Sequence, residues 1–279
     1  MGRDGGSVLE LQANIPTLHA PVIMLSNIRK NRNLLKNLIS RDFKVNYHGH
    51  ILGYFWSMLE PLLLTGIFYL VFVILRQSAD SLLPLKIMLG ILMFNAFSRT
   101  VNGCTLSLVQ NSSLIQQIYF PREILPTSIA GFQVMKLILS LFIVIPYMVY
   151  ESIEPTVYLL LLPIAIIGIM LFAQGLGMIA SMIHVRLRDT GQIIQLILRA
   201  AFFLSGVFYS AEHIPPEYLH LHLSNPIAVY IEMARAAILG DMGVLETNQV
   251  SIALSASFFT YILGSMVFMR YERKAVKHL

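Results

Sequence analysis

The chain has 279 residues, of which 56% are hydrophobic and 13% charged, and its formal net charge is +5. Soluble globular domains carry about 25% charged residues, so this composition excludes a soluble globular protein; the length allows several membrane spans and no large soluble domain. Cys104 is the only cysteine, which rules out an internal disulfide and metal sites of the Cx₂C type.

In chain order, residues 1–27 contain no contiguous apolar core of a leader, because charge, Asn and Pro interrupt "MGRDGGSVLELQANIPTLHAPVIML". They read as a cytoplasmic tail. Residues 28–45 place Ile28, Leu34, Leu35, Leu38, Ile39 and Phe43 on one helical face, with Arg29, Lys30, Arg32, Lys36 and Arg41 around the rest. That pattern predicts an amphipathic helix lying in the membrane surface. Residues 46–279 hold six apolar segments, about 51–75, 85–109, 124–150, 157–183, 191–210 and 250–269, and a helix needs about 20 apolar residues to cross the hydrocarbon core. An even number puts both termini on one side. Fourteen Lys and Arg fall in the tails and loops of that side; the other side has Arg76, Lys86 and Arg235 and gathers Asp80, Glu151, Glu154, Glu212, Glu217, Glu232, Asp241 and Glu246. Both termini are therefore expected to be cytoplasmic. Between the last two segments, "SNPIAVYIEMARAAILG" opens at Ser224 to Pro226 and stops at Gly240. It predicts short amphipathic outward helices that dip into the outer leaflet or cap the exit of a path.

No GxxxxGK[ST], HExxH or GxSxG pattern occurs, so no P-loop nucleotide hydrolysis and no catalytic residue is expected in this chain. His220 and His222, two apart, point to different faces of a helix, and no metal site is expected there.

Charges within the apolar segments are costly and usually face protein or water. Glu60, Arg99, Lys136 and Arg199 lie in four different segments, each about nine to twelve residues from its cytoplasmic end. One reading is a Glu60–Arg99 ion pair with Lys136 snorkelling toward the interface. The other is a net-positive ring that receives the anionic head of a substrate. On the fifth segment Gln192, Gln195, Arg199, Phe202, Gly206, Tyr209 and Ser210 form one polar face, which must line a polar interface or a wet path. On the first, Tyr54, Pro61, Thr65, Phe68, Tyr69 and Phe72 share a face; such rings serve either as stacking surfaces for sugars or as ordinary packing. Asn95, Ser98, Arg99 and Asn102 on the second read as interhelical glue. Pro61 is expected to leave one carbonyl unpaired and to kink its helix.

The order of a basic amphipathic helix, then "LGYFWSMLEPLL" from Leu52, "NSSLIQQIYFPREILP" from Asn111, "VRLRDTGQI" from Val185, "FFLSGVFYSAEHIPPEY" from Phe202 and "NPIAVYIEMARAAILG" from Asn225 resembles the type-2 ABC transporter permeases that export polysaccharides. The resemblance covers nearly the whole chain from about residue 28. The first and last blocks look most like capsule exporters, and "FPREILP" is also similar to O-antigen and teichoic-acid exporters. The resemblance implies an all-α integral membrane protein with six transmembrane helices, an N-terminal interface helix and short outward gate or re-entrant helices before the last span. It implies a homodimer working with two separate ATP-binding subunits in the cytoplasmic membrane, with ATP and Mg held by the partner and no cofactor in this chain. The cargo it implies is a lipid-linked, acidic polysaccharide, not nucleic acid, and the capsule-like blocks leave room for a periplasmic adaptor. Under it, Tyr54, Phe68, Tyr69, Phe72, Gln195, Arg199, Phe202 and Tyr209 line the path. Glu60, Arg99 and Lys136 form the gate or basic ring, and Arg122, Arg188 and Asp189 couple to the ATPase beside the helix from Ile28 to Lys44. Those coupling charges read equally as positive-inside topology determinants. Rival expectations are a type-2 permease for drugs or small lipids and a membrane enzyme acting on lipid-linked sugars.

Overall fold

A computed structural model describes residues 20–49, 52–76 and 81–276. Most of the expected 1–27 tail, and Asp80, lie outside the described residues. Among those described, every regular element is helical: α1 Ala20–Lys30, α2 Arg32–Tyr47, α3 Trp56–Arg76, α4 Leu83–Gln110, α5 Ser112–Gln117, α6 Ile124–Leu141, α7 Val144–Tyr150, α8 Leu161–His184, α9 Thr190–Leu204, α10 Pro216–Leu223, α11 Pro226–Leu239 and α12 Thr247–Val276, with short 3₁₀ turns before α3, α8 and α10.

Four stretches are long and apolar enough to cross a membrane: Gly53–Phe72, Ile124–Tyr150, Val157–His184 and Thr247–Glu272. The 28-residue α4 carries Lys86 and Arg99 and is not among them, and neither is α9, whose 15 residues rise only about 22 Å. The segment expected at 191–210 is thus shorter as a helix. Gly206 adopts φ +70°, a conformation that suits glycine, and the chain turns after Leu204 instead of continuing. The face projected through Gly206, Tyr209 and Ser210 is therefore helical only as far as Phe202.

At the N-terminus the single expected helix is two. A break at Asn31 separates α1, formed partly from the expected tail, from α2. The apolar face of α2 packs on α6: a Cβ at Gly131 would lie 2.8 Å from Ile39 Cδ1, and Phe43 meets Phe132 edge-on at 5.3 Å. Arg32, Lys36, Arg41 and Lys44 remain exposed.

The core has two parts. The larger is built on α4, α8 and α11, from side chains such as Leu89, Ile91, Met93, Ile169, Tyr230 and Ile231. The smaller joins Met24, Leu38, Leu108, Ile124, Met178 and Phe268 where α1 and α2 meet the ends of α4, α8 and α12. Small residues let the long helices touch: a Cβ at Gly175 of α8 would lie 2.6 Å from the Thr260 carbonyl of α12. Helix α11 begins and ends as its sequence predicts, with Asn225 accepting from Ile227 N at 3.1 Å and Gly240 closing it at φ +75°. It is not amphipathic in place. Residues all round it are buried, and the Tyr230 hydroxyl pairs with Ala253 O and Ser257 Oγ of α12 at 2.9 and 2.7 Å.

Candidate functional site

Pro61 has no N–H, so the Ser57 carbonyl one turn earlier in α3 loses its helical donor. Ser140 of α6 supplies the replacement, its Oγ donating to Ser57 O at 2.8 Å. That bond ties the two helices together at the depth of Glu60. Beside it, Arg99 of α4 donates to Glu60 Oε1. A small cavity of about 30 Å³ opens there, lined by Ser57, Glu60, Asn95, Arg99, Gln133 and Lys136 among others, which is room for one water molecule. Three of the four charges expected to share a level therefore converge on one pocket, one acid against two bases. The fourth, Arg199, lies on the exposed side of α9, outside that lining. Glu60 and Arg99 keep 42% and 35% of their side-chain surface exposed, so the pair closes one edge of the pocket without being sealed. Asn102 does not act as glue within the chain: its Oδ1 is buried with no hydrogen-bond partner among the described residues.

The aromatic residues divide into two groups. Tyr54 stacks with Tyr47 at 4.7 Å and Phe43 at 5.5 Å, where α2 meets α3. Phe68 and Phe202 instead pack on Phe208, at 4.2 and 4.8 Å, with Phe94 against Phe202 at 5.1 Å. Within one chain these two are packing residues, backed by the main core together with Tyr69 and Phe72. Gln192, Gln195 and Arg199 are exposed along α9, and Tyr209 sits in the following loop, its ring 5.5 Å from that of His222.

That loop is held by a residue that sequence reasoning counted only as a loop charge. Arg235 of α11 is 2% exposed. Its guanidinium donates to Gly206 O at 2.8 Å, Val207 O at 3.0 Å, Tyr209 O at 2.9 Å and Lys86 O at 3.0 Å, and pairs with Glu232 at 2.8 Å. Glu232 in turn accepts from Ala211 N at 2.9 Å. The signal was legible: an arginine three residues after a glutamate inside an apolar helix.

At the end that carries α1 and the end of α12, the coupling residues part company. Arg122 faces Glu272 of α12 at 4.0 Å, and its neighbour Glu123, 2% exposed, accepts from Asn27 of α1 at 2.8 Å. "FPREILP" thus pins the first and last helices to the α5–α6 turn. Arg188 and Asp189 are exposed. At the same end are exposed apolar side chains that the charge-based reading passed over: Tyr119, Ile118 and Leu187, at 82%, 57% and 63% exposure. No cluster of three or more His, Cys, Asp or Glu able to hold a metal occurs among the described residues.

Among the described residues, an all-helical bundle with four membrane-length apolar stretches is that of a polytopic membrane protein. The ABC-2 type transporter family matches residues 33–239, three quarters of the length, and the chain belongs to that family. It is 25% identical over 241 residues to an O-antigen export system permease protein RfbA of Klebsiella pneumoniae, covering 86% of this chain and 92% of the relative. It is 27% identical over 210 residues to the polysialic acid transport protein KpsM of Escherichia coli, covering 72% and 80%. A capsule polysaccharide export inner-membrane protein, CtrC of Neisseria meningitidis, is 24% identical over 258 residues, covering 89% and 95%.

Proposed function

We propose that the chain is the permease of an ABC exporter that moves a lipid-linked polysaccharide outward across the cytoplasmic membrane, powered by a separate ATP-binding subunit. The observation that carries this reading is the net-positive pocket of Glu60, Arg99 and Lys136, inside a family member whose relatives are named for export of O-antigen, polysialic acid and capsule. In this reading α4 and the short α9 complete six spans, both termini are cytoplasmic, and α10 with α11 forms the outward gate. Two copies associate through the exposed polar face of α9, so that Gln195 and Arg199 meet the path. Tyr54, Phe68, Tyr69, Phe72, Phe202 and Tyr209 border it, the packed rings among them supporting its wall. The ATPase docks on Arg188 and Asp189 together with Tyr119, Ile118 and Leu187, while Arg122 braces that surface from within.

The pocket receives the anionic head of the cargo. Arg99 exchanges Glu60 for that head, Lys136 adds charge, and the released carboxylate frees α3 from α4. An acidic polymer would suit these bases, and the phosphate linkage at a lipid end meets them equally. A periplasmic adaptor would meet the exposed residues of α10. In a host lacking its own copy, the Arg99→Gln, Lys136→Gln double variant should display about tenfold less surface polysaccharide, the effect of losing roughly 1.4 kcal/mol of anion binding, with normal protein in the membrane. Wild-type display from that variant would overturn the role of the pocket.

A further inference from the structure

At the opposite end of the bundle from α1, a cavity of about 650 Å³ opens between the last turn of α3, the loop after α9, and α10. Small-molecule sites typically measure about 300–1,000 Å³. Its lining includes the rings of Phe72, Tyr209 and Tyr218, the imidazoles of His213 and His222, and the amide of Asn225; among the described residues no Lys, Arg, Asp or Glu lines it. Aromatic faces suit the C–H faces of sugar rings, and phenol, imidazole and amide groups each donate or accept hydrogen bonds with hydroxyls. His222 is nine-tenths buried, and its Nε2, lying against Gly206, has no hydrogen-bond partner among the described residues. The charge nearest from the α11 side is no help to an anion: Arg235 is spent on four carbonyls and Glu232. Exposed Glu217 adjoins Tyr218 in the chain and disfavours a carboxylated sugar by like charge, whereas Glu212, next to His213, faces Lys86 at 3.8 Å.

We infer that this cavity is a binding site for an uncharged segment of the glycan, a neutral sugar unit held by stacking on Tyr209 and Tyr218 and by hydroxyl contacts to His213. The inference rests on the exporter reading and narrows it: the anionic end of the cargo belongs to the inner pocket and neutral sugars to the outer one.

Saturation-transfer NMR on the full chain with its ATP-binding partner in nanodiscs tests this, using neutral tetrasaccharides of mannose, galactose and glucose against a sialic acid tetramer. At least one neutral tetramer should bind through its ring C–H protons, and the sialyl tetramer should not. Tyr218→Ala and His213→Ala alter exposed side chains, so both fold; Tyr218→Ala should weaken binding by about tenfold, the loss of one stacking face. Preferential binding of the sialyl tetramer, or neutral binding unchanged in both variants, overturns the inference. If no tetramer binds while lipid-linked polymer still stimulates ATP hydrolysis, the outer site is wrong and the exporter reading stands; loss of that stimulation as well sinks the exporter reading.

Discussion

Arg235 sits among carbonyl oxygens from separate segments: those of Gly206, Val207 and Tyr209 belong to a loop that no helix satisfies, and that of Lys86 lies in the first turn of α4, where the guanidinium adds a second donor. A planar guanidinium reaches all of them and Glu232 at once, whereas an ammonium is a single point with three donors. Arg235→Lys should therefore cost about 3 kcal/mol or more, read as a lower unfolding temperature in detergent, and should expose the 205–211 loop to protease; a variant as stable as the parent would refute the pinning role. His222 gives a pH signature at the same place. Burial, with Arg235 as a lesser cause, holds its pKa below the ordinary 6.5 although Glu232 acts the other way. The folded chain thus keeps it neutral where the unfolded chain takes up a proton, so its contribution to stability is full above pH 6.5 and is lost as pH falls below that value. His222→Gln should flatten the acid limb of the stability profile, and an unchanged limb would show that another group sets it.

Helices α8 and α12 meet where Gly175 faces Thr260 and Gly264. Any side chain at 175 must push backbone from backbone, so Gly175→Leu should cost about 1–3 kcal/mol by overpacking, checked by thermal unfolding; an unaffected transition would mean that the helices do not touch there. How much of each element was legible follows from similar particulars. Helix α11 could be bounded from Asn225-Pro226 and Gly240, because caps are local chemistry. Its burial could not, since the apolar spacing that marks one face says nothing about what covers the other. The Glu60–Arg99 pair was foreseen because two opposite charges at one depth have few other partners. The Ser140 bond to the carbonyl freed by Pro61 was not: it joins residues 83 apart, and serine is common in helix interfaces for many reasons. The end of α9 at Leu204 was hidden because Gly206 fits a helical projection as readily as a turn, and only Arg235, from another helix, decides between them.

Across the whole molecule the charged pocket lies against the middle of α4 and the outer cavity at the end opposite α1, and the surface of Tyr119, Leu187, Arg188 and Asp189 lies at the end that carries α1 and the end of α12. In the proposed reading energy would enter at that surface, the anionic head at the pocket, and the sugar chain would leave past the cavity, an order that would give transport one direction. Population of the open arrangement then depends on the cargo binding it better than the closed one. The most direct test is ATP hydrolysis by this chain reconstituted with its ATP-binding subunit, with and without the host's lipid-linked polysaccharide. The account predicts stimulation by the polymer, lost on changing Arg99 and Lys136 to Gln. A complex whose hydrolysis ignores the polymer, or responds to small lipids in its place, would contradict it.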